Sequence, residues 1–216
     1  MRIVVLGANG GVGRAAVSAA AQQGHDVVAA ARTTLPAVPS GVAQVELDVR
    51  DASAVQRALV GAQGVLWCVG VTKRSGGDVG RTALPHVLAA ATAAGVTRLV
   101  TVSGAGVTLP GDAKPVGARL VSALTRRLAR DLVIDKEGEH RALVASALDW
   151  TQVRPPRLVD GPATGRWSLT DQAPGITATP VPRADVALAM LHLLAAPDWS
   201  GRSPFLVLRA GPADAP

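Results

Sequence analysis

The chain has 216 residues, of which 48% are apolar, and carries a formal net charge of +6. This length suits one domain, and no run of about 18 apolar residues lacks a charge, which excludes a membrane span. Aromatic side chains are scarce and Tyr is absent, so platforms for stacking nucleic-acid bases are not expected. The one cysteine, Cys68, excludes an internal disulfide and suits the reducing cytoplasm.

Short apolar runs alternate with helical patterns along the chain. The runs are solid, as strands buried on both faces of a parallel sheet require. Predicted strands cover Arg2–Leu6, Asp26–Ala31, Ala43–Leu47, Val65–Val69, Arg98–Val102, Trp150–Val153 and Phe205–Leu208. Predicted helices cover Gly11–Gln23, Asp51–Val60, Val79–Ala94, Pro115–Arg130, Leu132–Ala147 and Arg183–Ala195. Asp51 and Ser53 stand where an N-cap is expected, and Gly24 and Gly95 suit a left-handed helix end.

This repeating strand–helix order predicts the α/β class. We expect a single Rossmann-fold domain over residues 1–210, a doubly wound parallel sheet of about seven strands with helices on both faces. The predicted strand order is 3-2-1-4-5-6, with one further strand. The Gly- and Pro-rich segment at about 155–180 is expected on the substrate side, and the tail 211–216 is expected to be disordered.

The turn after the first predicted strand is rich in glycine. It reads Gly7-Ala8-Asn9-Gly10-Gly11-Val12-Gly13 and opens the first predicted helix. Gly7 permits a sharp turn, Gly10 lets the backbone approach a pyrophosphate, and Gly13 brings the helix close to the strand. The helix N-terminus offers free N–H groups and a partial positive charge. The loop therefore predicts dinucleotide binding, the alternative being a tight turn without a ligand.

The tip of the second strand bears on which dinucleotide binds. NAD-binding proteins usually carry a carboxylate there for the ribose 2′-OH, whereas this chain has Arg32 and no acid beside it. A guanidinium grips a 2′-phosphate, so NADP(H) is expected in preference to NAD(H). Arg14, just past the third glycine, is a second candidate phosphate contact. The alternative for Arg32 is an ordinary exposed charge.

Further candidate contacts follow the later strands, because ligands collect at the carboxyl edge of a parallel sheet. Asp48 is placed to meet the adenine amino group, or to form a turn or helix N-cap instead. Val49 follows it directly. Cys68, Val69 and Gly70 come at the end of the fourth strand, where a glycine lets the chain pass close to a ribose.

The chemistry cannot rest on a tyrosine, since the chain has none. Ser103 follows the fifth strand, where its hydroxyl can bond a substrate or the nicotinamide, or else satisfy the turn backbone. It has no evident His–Asp partner, which argues against hydrolase chemistry. Arg154 and Pro155 follow the sixth strand, where a stiff proline segment can form a wall against the nicotinamide ring.

Four segments, in order along nearly the whole chain, carry a family resemblance: RIVVLGANGGVGR from residue 2, VTRLVTVS from 96, ALDWTQVRP from 147 and PRADVA from 182. Together they resemble the atypical short-chain dehydrogenases/reductases with an NAD(P)H-binding domain, and within them the biliverdin-IXβ (flavin) reductase branch. The resemblance implies NADPH-dependent hydride transfer to a small planar conjugated acceptor, such as a flavin, quinone or tetrapyrrole, with a proton from solvent. The superfamily's usual Tyr-x-x-x-Lys pair is missing.

A non-catalytic NADP(H)-binding sensor is the second hypothesis. The missing Tyr and an amphipathic basic helix at 115–130 favour it, although a solvated face is the simpler interpretation of that helix and a partner surface is the alternative. The expected partner is a small-molecule acceptor, with no nucleic acid and no membrane. No metal is expected, because the four histidines lack ligand spacing. We expect a cytoplasmic monomer or small homo-oligomer.

Overall fold

The computed structural model describes residues 1–72 and 75–209. Its strands are β1 Arg2–Leu6, β2 Asp26–Ala31, β3 Ala43–Glu46, β4 Gly64–Trp67, β5 Arg98–Val102, β6 Trp150–Val153, β7 Leu158–Val159, β8 Trp167–Thr170, β9 Val181–Pro182 and β10 Phe205–Leu208. Its helices are α1 Gly11–Gln22, α2 Ala52–Ala58, α3 Val79–Ala93, α4 Val116–Leu128, α5 Arg130–Val144 and α6 Arg183–Ala195, with a 3-10 turn at Pro197–Trp199. The predicted disordered tail, 211–216, lies outside the described residues.

The main sheet confirms the predicted doubly wound topology. In the described part of the chain it has six strands in the order β3-β2-β1-β4-β5-β6, and every neighbouring pair is parallel. The strand order reverses between β1 and β4. From β1 the chain crosses over to β2 and β3 on one side, and it then returns to form β4, β5 and β6 on the other side. This switch point creates a crevice at the carboxyl edge of the sheet, which is where ligands bind in such folds.

Helices cover both faces of the sheet, as the solid apolar strands predicted. Along β1, Ile3 and Val5 face one core with α1 and α6, whereas Val4 and Leu6 face the other with α2 and α3. These four side chains are all fully buried. Because successive side chains of a strand point to opposite faces, burial on both faces makes the interior of β1 a continuous apolar run.

The predicted seventh strand lies beside the main sheet. It forms β10, which pairs antiparallel with β8 and touches β6 through an isolated parallel bridge between Arg154 and Phe205. The sequence did not indicate β8, because this half-buried strand of four residues lies in the Gly- and Pro-rich segment. The second small pairing, of β7 with β9, lies in the same region and holds that segment against α6.

Local sequence signals mark the start of α2 and the ends of α1 and α3. The Asp51 carboxylate accepts hydrogen bonds from the N–H groups of Ser53 at 2.9 Å and Ala54 at 3.1 Å, which satisfies donors that have no partner within α2. Gly24 and Gly95 follow α1 and α3 with φ of 76° and 70°, the left-handed conformation that ends helices. The connections that return the chain to the sheet are therefore encoded locally.

Candidate functional site

The glycine loop between β1 and α1 is compressed against its neighbours. Gly7 has a φ of +81°, and a Cβ on it would lie 2.8 Å from the Cys68 carbonyl group. A Cβ on Gly13 would lie 2.2 Å from the Gly7 carbonyl oxygen. Only glycine fits at either position, so the first turn of α1 lies directly against the end of β1.

The N-terminus of α1 is free to receive an anion. Its cap residue, Gly10, supplies no side-chain hydrogen bond, and the first turn contains no acidic residue. The first N–H groups of a helix have no partner within it, and they carry the positive end of the helix dipole. At this position the N–H groups of Gly11, Val12 and Gly13 belong to that first turn, as the sequence predicted for a pyrophosphate site.

A cleft of about 430 Å³ lies in front of this loop, at the carboxyl ends of β1 to β4. The structure brings together many of the predicted cofactor contacts in its lining: Gly7, Asn9, Gly10, Arg32, Asp48, Val49, Cys68, Val69 and Gly70. Seven residues that were not predicted as cofactor contacts also line the cleft: Ala31, Thr33, Leu47, Arg50, Thr72, Ser75 and Val79. The lining combines apolar walls with a few polar groups, which is typical of nucleotide sites.

Asn9 connects the glycine loop to the tip of β2. Its Nδ2 donates to the Thr33 hydroxyl at 3.0 Å, and its carbonyl oxygen accepts from Arg14 Nη1 at 3.0 Å. Arg14 therefore supports the loop from behind and does not line the cleft. Arg32 follows β2, lines the cleft and is exposed.

Asp48 forms a turn, one of the two roles that the sequence left open for it. Its side chain accepts from the Arg50 N–H at 3.0 Å, and its carbonyl oxygen accepts from the Asp51 N–H at 2.9 Å, so it forms the turn that enters α2. It also lines the cleft beside Val49. A turn of this kind holds the carboxylate at a defined point of the wall.

The chain after β4 forms the opposite wall. Desolvation raises the pKa of the Cys68 thiol to about 12, so the thiol is neutral and unreactive at physiological pH. At Gly70 a Cβ would meet no atom within 4 Å, which leaves the space in front of it open. The Ser75 hydroxyl donates to the Gly70 carbonyl oxygen at 3.3 Å and accepts from the Thr72 N–H at 2.7 Å.

Lys136 and Glu139 support this wall from inside the protein. The sequence did not predict a role for either residue. Lys136 Nζ donates to the Val69 carbonyl oxygen and to both Glu139 oxygens, each at 2.9 Å. Glu139 also accepts from Trp67 Nε1 at 3.0 Å. Burial raises the pKa of Glu139, and the charge of Lys136 opposes the rise. The i, i+3 spacing of this pair on α5 is visible in the sequence, but its burial depends on packing against β4.

Ser103 and Pro155 lie further along the same edge of the sheet. Ser103 Oγ is buried and has no hydrogen-bond partner among the described residues, so it is an unused donor and acceptor. Pro155 lines a second cavity of about 630 Å³. That cavity is formed by the chain after β5, by α4 and by the segment that follows β6: Gly104, Ala105, Gly106, Ala118, Val121, Thr125, Pro155, Pro156, Arg157, Pro174, Gly175, Ile176, Thr177, Ala178 and Pro180.

Arg154, in contrast, does not line the cleft or the second cavity. Its guanidinium binds both Asp112 oxygens at 2.7 and 2.6 Å, donates to the Ser203 carbonyl oxygen at 2.8 Å and stacks 3.8 Å from the Phe205 ring centre. Arg154 and Pro155 follow β6 and are both buried, but only Pro155 lines the second cavity. The role of Arg154 is to attach β10 and the 105–114 loop to β6.

Arg183, at the start of α6, lies over the N-terminus of α1. A Cβ on Gly11 would come within 2.6 Å of Arg183 Cδ, and the guanidinium pairs with Asp160 at 2.7 Å. This adds a second reason for glycine at position 11 and places a cation beside the phosphate loop. In the sequence, the PRADVA segment carried a family resemblance but gave no local signal for this contact.

Comparison with known proteins agrees with this geometry. The family model described as NAD(P)H-binding matches residues 7–197. The chain belongs to this NAD(P)H-binding family. The match covers the glycine loop, the cleft and the second cavity.

Solved structures of similar fold include a protein that is described as a reductase. ChuY of Escherichia coli O157:H7, described as an anaerobillin reductase, is 26% identical with a TM-score of 0.71, and the match covers 98% of this chain and 100% of that one. ChuY of E. coli CFT073 is 27% identical, with a TM-score of 0.75 and 98% coverage of both chains. A short-chain dehydrogenase/reductase of Veillonella parvula in complex with NADP has a TM-score of 0.77 at 19% identity, covering 99% of this chain and 95% of that one, and shows the same fold.

A curated relative matches only part of the chain. Rv2047c of Mycobacterium tuberculosis is 37% identical over 103 residues, which are 48% of this chain and 12% of that protein. The stretch is thus a small part of a much larger protein. Within the described residues, no helix has the length and apolar character needed to cross a bilayer.

Proposed function

We propose that this protein is an NADPH-dependent reductase that transfers hydride to a small planar conjugated acceptor, such as a flavin, a quinone or a tetrapyrrole-like compound. The observation that carries the proposal is the pair of cavities at one edge of the sheet. The cleft at the glycine loop suits a dinucleotide, and the second cavity begins at Gly104, next to Ser103. Two sites on adjoining strands allow two molecules to meet face to face.

The residues of the cleft fit the cofactor. Gly7 and Gly13 are positions where a side chain would displace the phosphate loop, and the N–H groups of α1 supply donors for two linked phosphates. Asp48, Val49 and Gly70 would surround the adenosine, while Ser103 would offer its unpaired hydroxyl to the nicotinamide or the acceptor. NADPH, when bound, supplies the hydride.

We infer the preference for NADPH from the tip of β2. Arg32 lines the cleft there, and the nearest acidic residue on β3, Glu46, accepts from the Thr34 N–H at 3.0 Å and does not line the cleft. A guanidinium at this position favours a 2′-phosphate over a free hydroxyl. Arg183 adds a cation near the pyrophosphate position.

The second cavity supports an acceptor that needs alignment more than acid–base catalysis. Among its described lining residues, Arg157 is the one ionisable side chain. The other walls are mainly Ala, Val, Ile, Pro and Gly, which contact a flat ring through dispersion and exclude water. An acceptor whose reduced form takes its proton from solvent fits this lining. The family likeness to ChuY, described as an anaerobillin reductase, supports a conjugated acceptor.

The direct test mixes the pure protein with NADPH and riboflavin, FMN, menadione or biliverdin, and follows loss of the NADPH absorbance. We expect turnover with at least one acceptor. Ser103→Ala should lower kcat/KM about 3- to 10-fold, the scale of one hydrogen bond. Thr101→Val is the matched control, because Thr101 Oγ1, two residues earlier on β5, is also buried without a described partner, and it should leave kcat/KM unchanged.

A non-catalytic NADP(H) sensor is the second candidate. The absence of a carboxylate, His, Cys or Tyr from the described lining of the second cavity favours it. Tight NADPH binding in calorimetry, with no turnover on any acceptor, would replace the reductase proposal by the sensor. No binding of NADPH or NADP⁺ would reject both.

A further inference from the structure

Helix α4 exposes an apolar strip that nothing in the described chain covers. Val116, Leu120, Leu124 and Leu128 are exposed to 81%, 71%, 55% and 76%, and their i, i+4 spacing places them along one side of the helix. The opposite side, with Ala118, packs against the protein. Single exposed apolar side chains are common, whereas a valine and three leucines along one side of a helix indicate a contact surface.

The same helix is strongly basic. Arg119, Arg126, Arg127 and Arg130 lie in or next to it, and no acidic residue occurs between 115 and 130. Arg126 pairs with Glu137 of α5. Arg127 is three residues from Leu124 and seven from Leu120, so it lies within the apolar strip. Any partner of this face must therefore accept leucines and cations together.

The position of Arg127 decides between two occupants. A second copy of the chain, packed strip against strip, would bring a basic helix against a basic helix and desolvate Arg127 without a counter-charge, which is unfavourable. A bilayer with anionic lipids accepts the leucines at the level of the acyl chains, while the arginines extend to the lipid phosphates. The positive charges of α4 therefore favour the lipid surface.

The strip also leads to the second cavity. Val121 and Ile176 both line that cavity and are both exposed, to 41% and 67%. Ile176 lies against α4, since a Cβ on Gly117 would be 3.3 Å from its Cγ2. An apolar path therefore connects the outer face of α4 with the mouth of the cavity.

We propose that α4 docks this protein on an anionic membrane surface, and that its acceptor is a lipid-dissolved quinone that enters the second cavity past Val121 and Ile176. The acceptor class rests on the reductase function proposed above. In the reaction, a quinone gains the hydride of NADPH and one proton from water, giving the quinol and NADP⁺. Docking departs from the sequence-based expectation of no membrane, which considered spanning segments alone.

Co-sedimentation of the full chain with vesicles tests the docking. We expect binding to phosphatidylglycerol mixed with phosphatidylcholine, weakened by salt, and none to phosphatidylcholine alone. Leu120→Ser/Leu124→Ser should weaken binding at least about tenfold. Val60→Ser, which removes an equally exposed side chain (68%) after α2, should leave binding unchanged.

Two double variants with the same net charge show whether the position of the arginines on α4 matters or only the total charge of the protein. Arg127→Gln/Arg130→Gln should weaken vesicle binding, whereas Arg57→Gln/Arg209→Gln, with the same net charge, should not. Equal loss in both pairs, equal binding to neutral vesicles, or full binding of the double serine variant would overturn the proposal. So would a dimer in sedimentation velocity that dissociates in the double serine variant, since the strip would then belong to a second copy.

Activity separates this inference from the proposed function. Turnover of a long-chain quinone dissolved in anionic vesicles should fall several-fold in the double serine variant, while turnover of water-soluble menadione stays unchanged. Vesicle binding without any turnover would reject the reductase and keep the docking surface. Menadione turnover without vesicle binding would reject the docking surface and keep the reductase.

Discussion

The substitution Gly70→Ala should change nucleotide binding in the cleft without destabilising the fold. A methyl group at this position would meet no atom within 4 Å, and Gly70 is not among the glycines with positive φ. The native backbone therefore accepts alanine without strain. Alanine also restricts the unfolded chain, so the free energy of unfolding should stay the same or rise by about 0.4–1 kcal/mol.

The same methyl group projects into the space that we assign to the adenosine ribose. Because Gly70 lines the cleft, a bound nucleotide would have to shift or the wall would have to move. Inserting one methyl into a packed contact costs about 1–3 kcal/mol. The dissociation constant for NADPH should therefore rise by about 5- to 150-fold.

Calorimetric titration with NADPH and urea denaturation measure the two effects independently. Gly175→Ala is the control, because its added methyl also meets no atom within 4 Å but faces the second cavity; NADPH affinity should not change there. An unaltered NADPH affinity in Gly70→Ala would refute the placement of the ribose. A loss of stability in that variant would refute the open space in front of Gly70.

Three further changes test other parts of the site. Arg32→Asp should weaken NADPH binding by about 1–3 kcal/mol while NADH binding changes little, because only the 2′-phosphate uses the guanidinium; calorimetry with both nucleotides decides, and equal losses would contradict the assignment. Lys136→Met leaves Glu139 buried without its cation, so urea denaturation should show that the free energy of unfolding falls by about 3–5 kcal/mol. A free energy of unfolding within about 1 kcal/mol of that of the parent would contradict the pairing. Burial raises the pKa of Asp112, but hydrogen bonds from Arg154 and the Leu109 N–H and the charge of Arg154 outweigh it, so the net pKa is lowered. A carboxylate with a lowered folded pKa stabilises the fold above its unfolded pKa, and this stability is lost as the pH falls below about 4. Asp112→Asn should therefore destabilise the protein at neutral pH and flatten its acid-induced loss of stability; an unchanged acid profile in urea titrations would argue against this ion pair.

The phosphate loop was predictable from the sequence because its determinants are local. Gly7, Gly10 and Gly13 act on backbone groups within a few residues of themselves, and the strand before them and the helix after them are encoded by the same short stretch. Asp51 is local in the same sense, because its carboxylate caps N–H groups two and three residues away. Spacing alone carries such information.

Side chains whose partners are distant in the chain were not predictable in this way. Arg154 and Lys136 are 42 and 67 residues from Asp112 and Val69, their respective partners. Position at a strand end predicted a cofactor contact for Arg154, but its guanidinium binds Asp112 and the Ser203 carbonyl oxygen inside the protein. Position on a helix gave no reason to place Lys136 behind the wall of the cleft.

By itself, then, the order of strands and helices determined the sheet, its switch point and the site of the glycine loop, since these follow from hydrophobic period and short-range backbone chemistry. Tertiary packing alone decided which of the edge residues face the cleft, that Ser103 keeps an unpaired hydroxyl, and that β8 pairs with β10. Those outcomes depend on contacts between segments far apart in the chain, whose geometry no local pattern records.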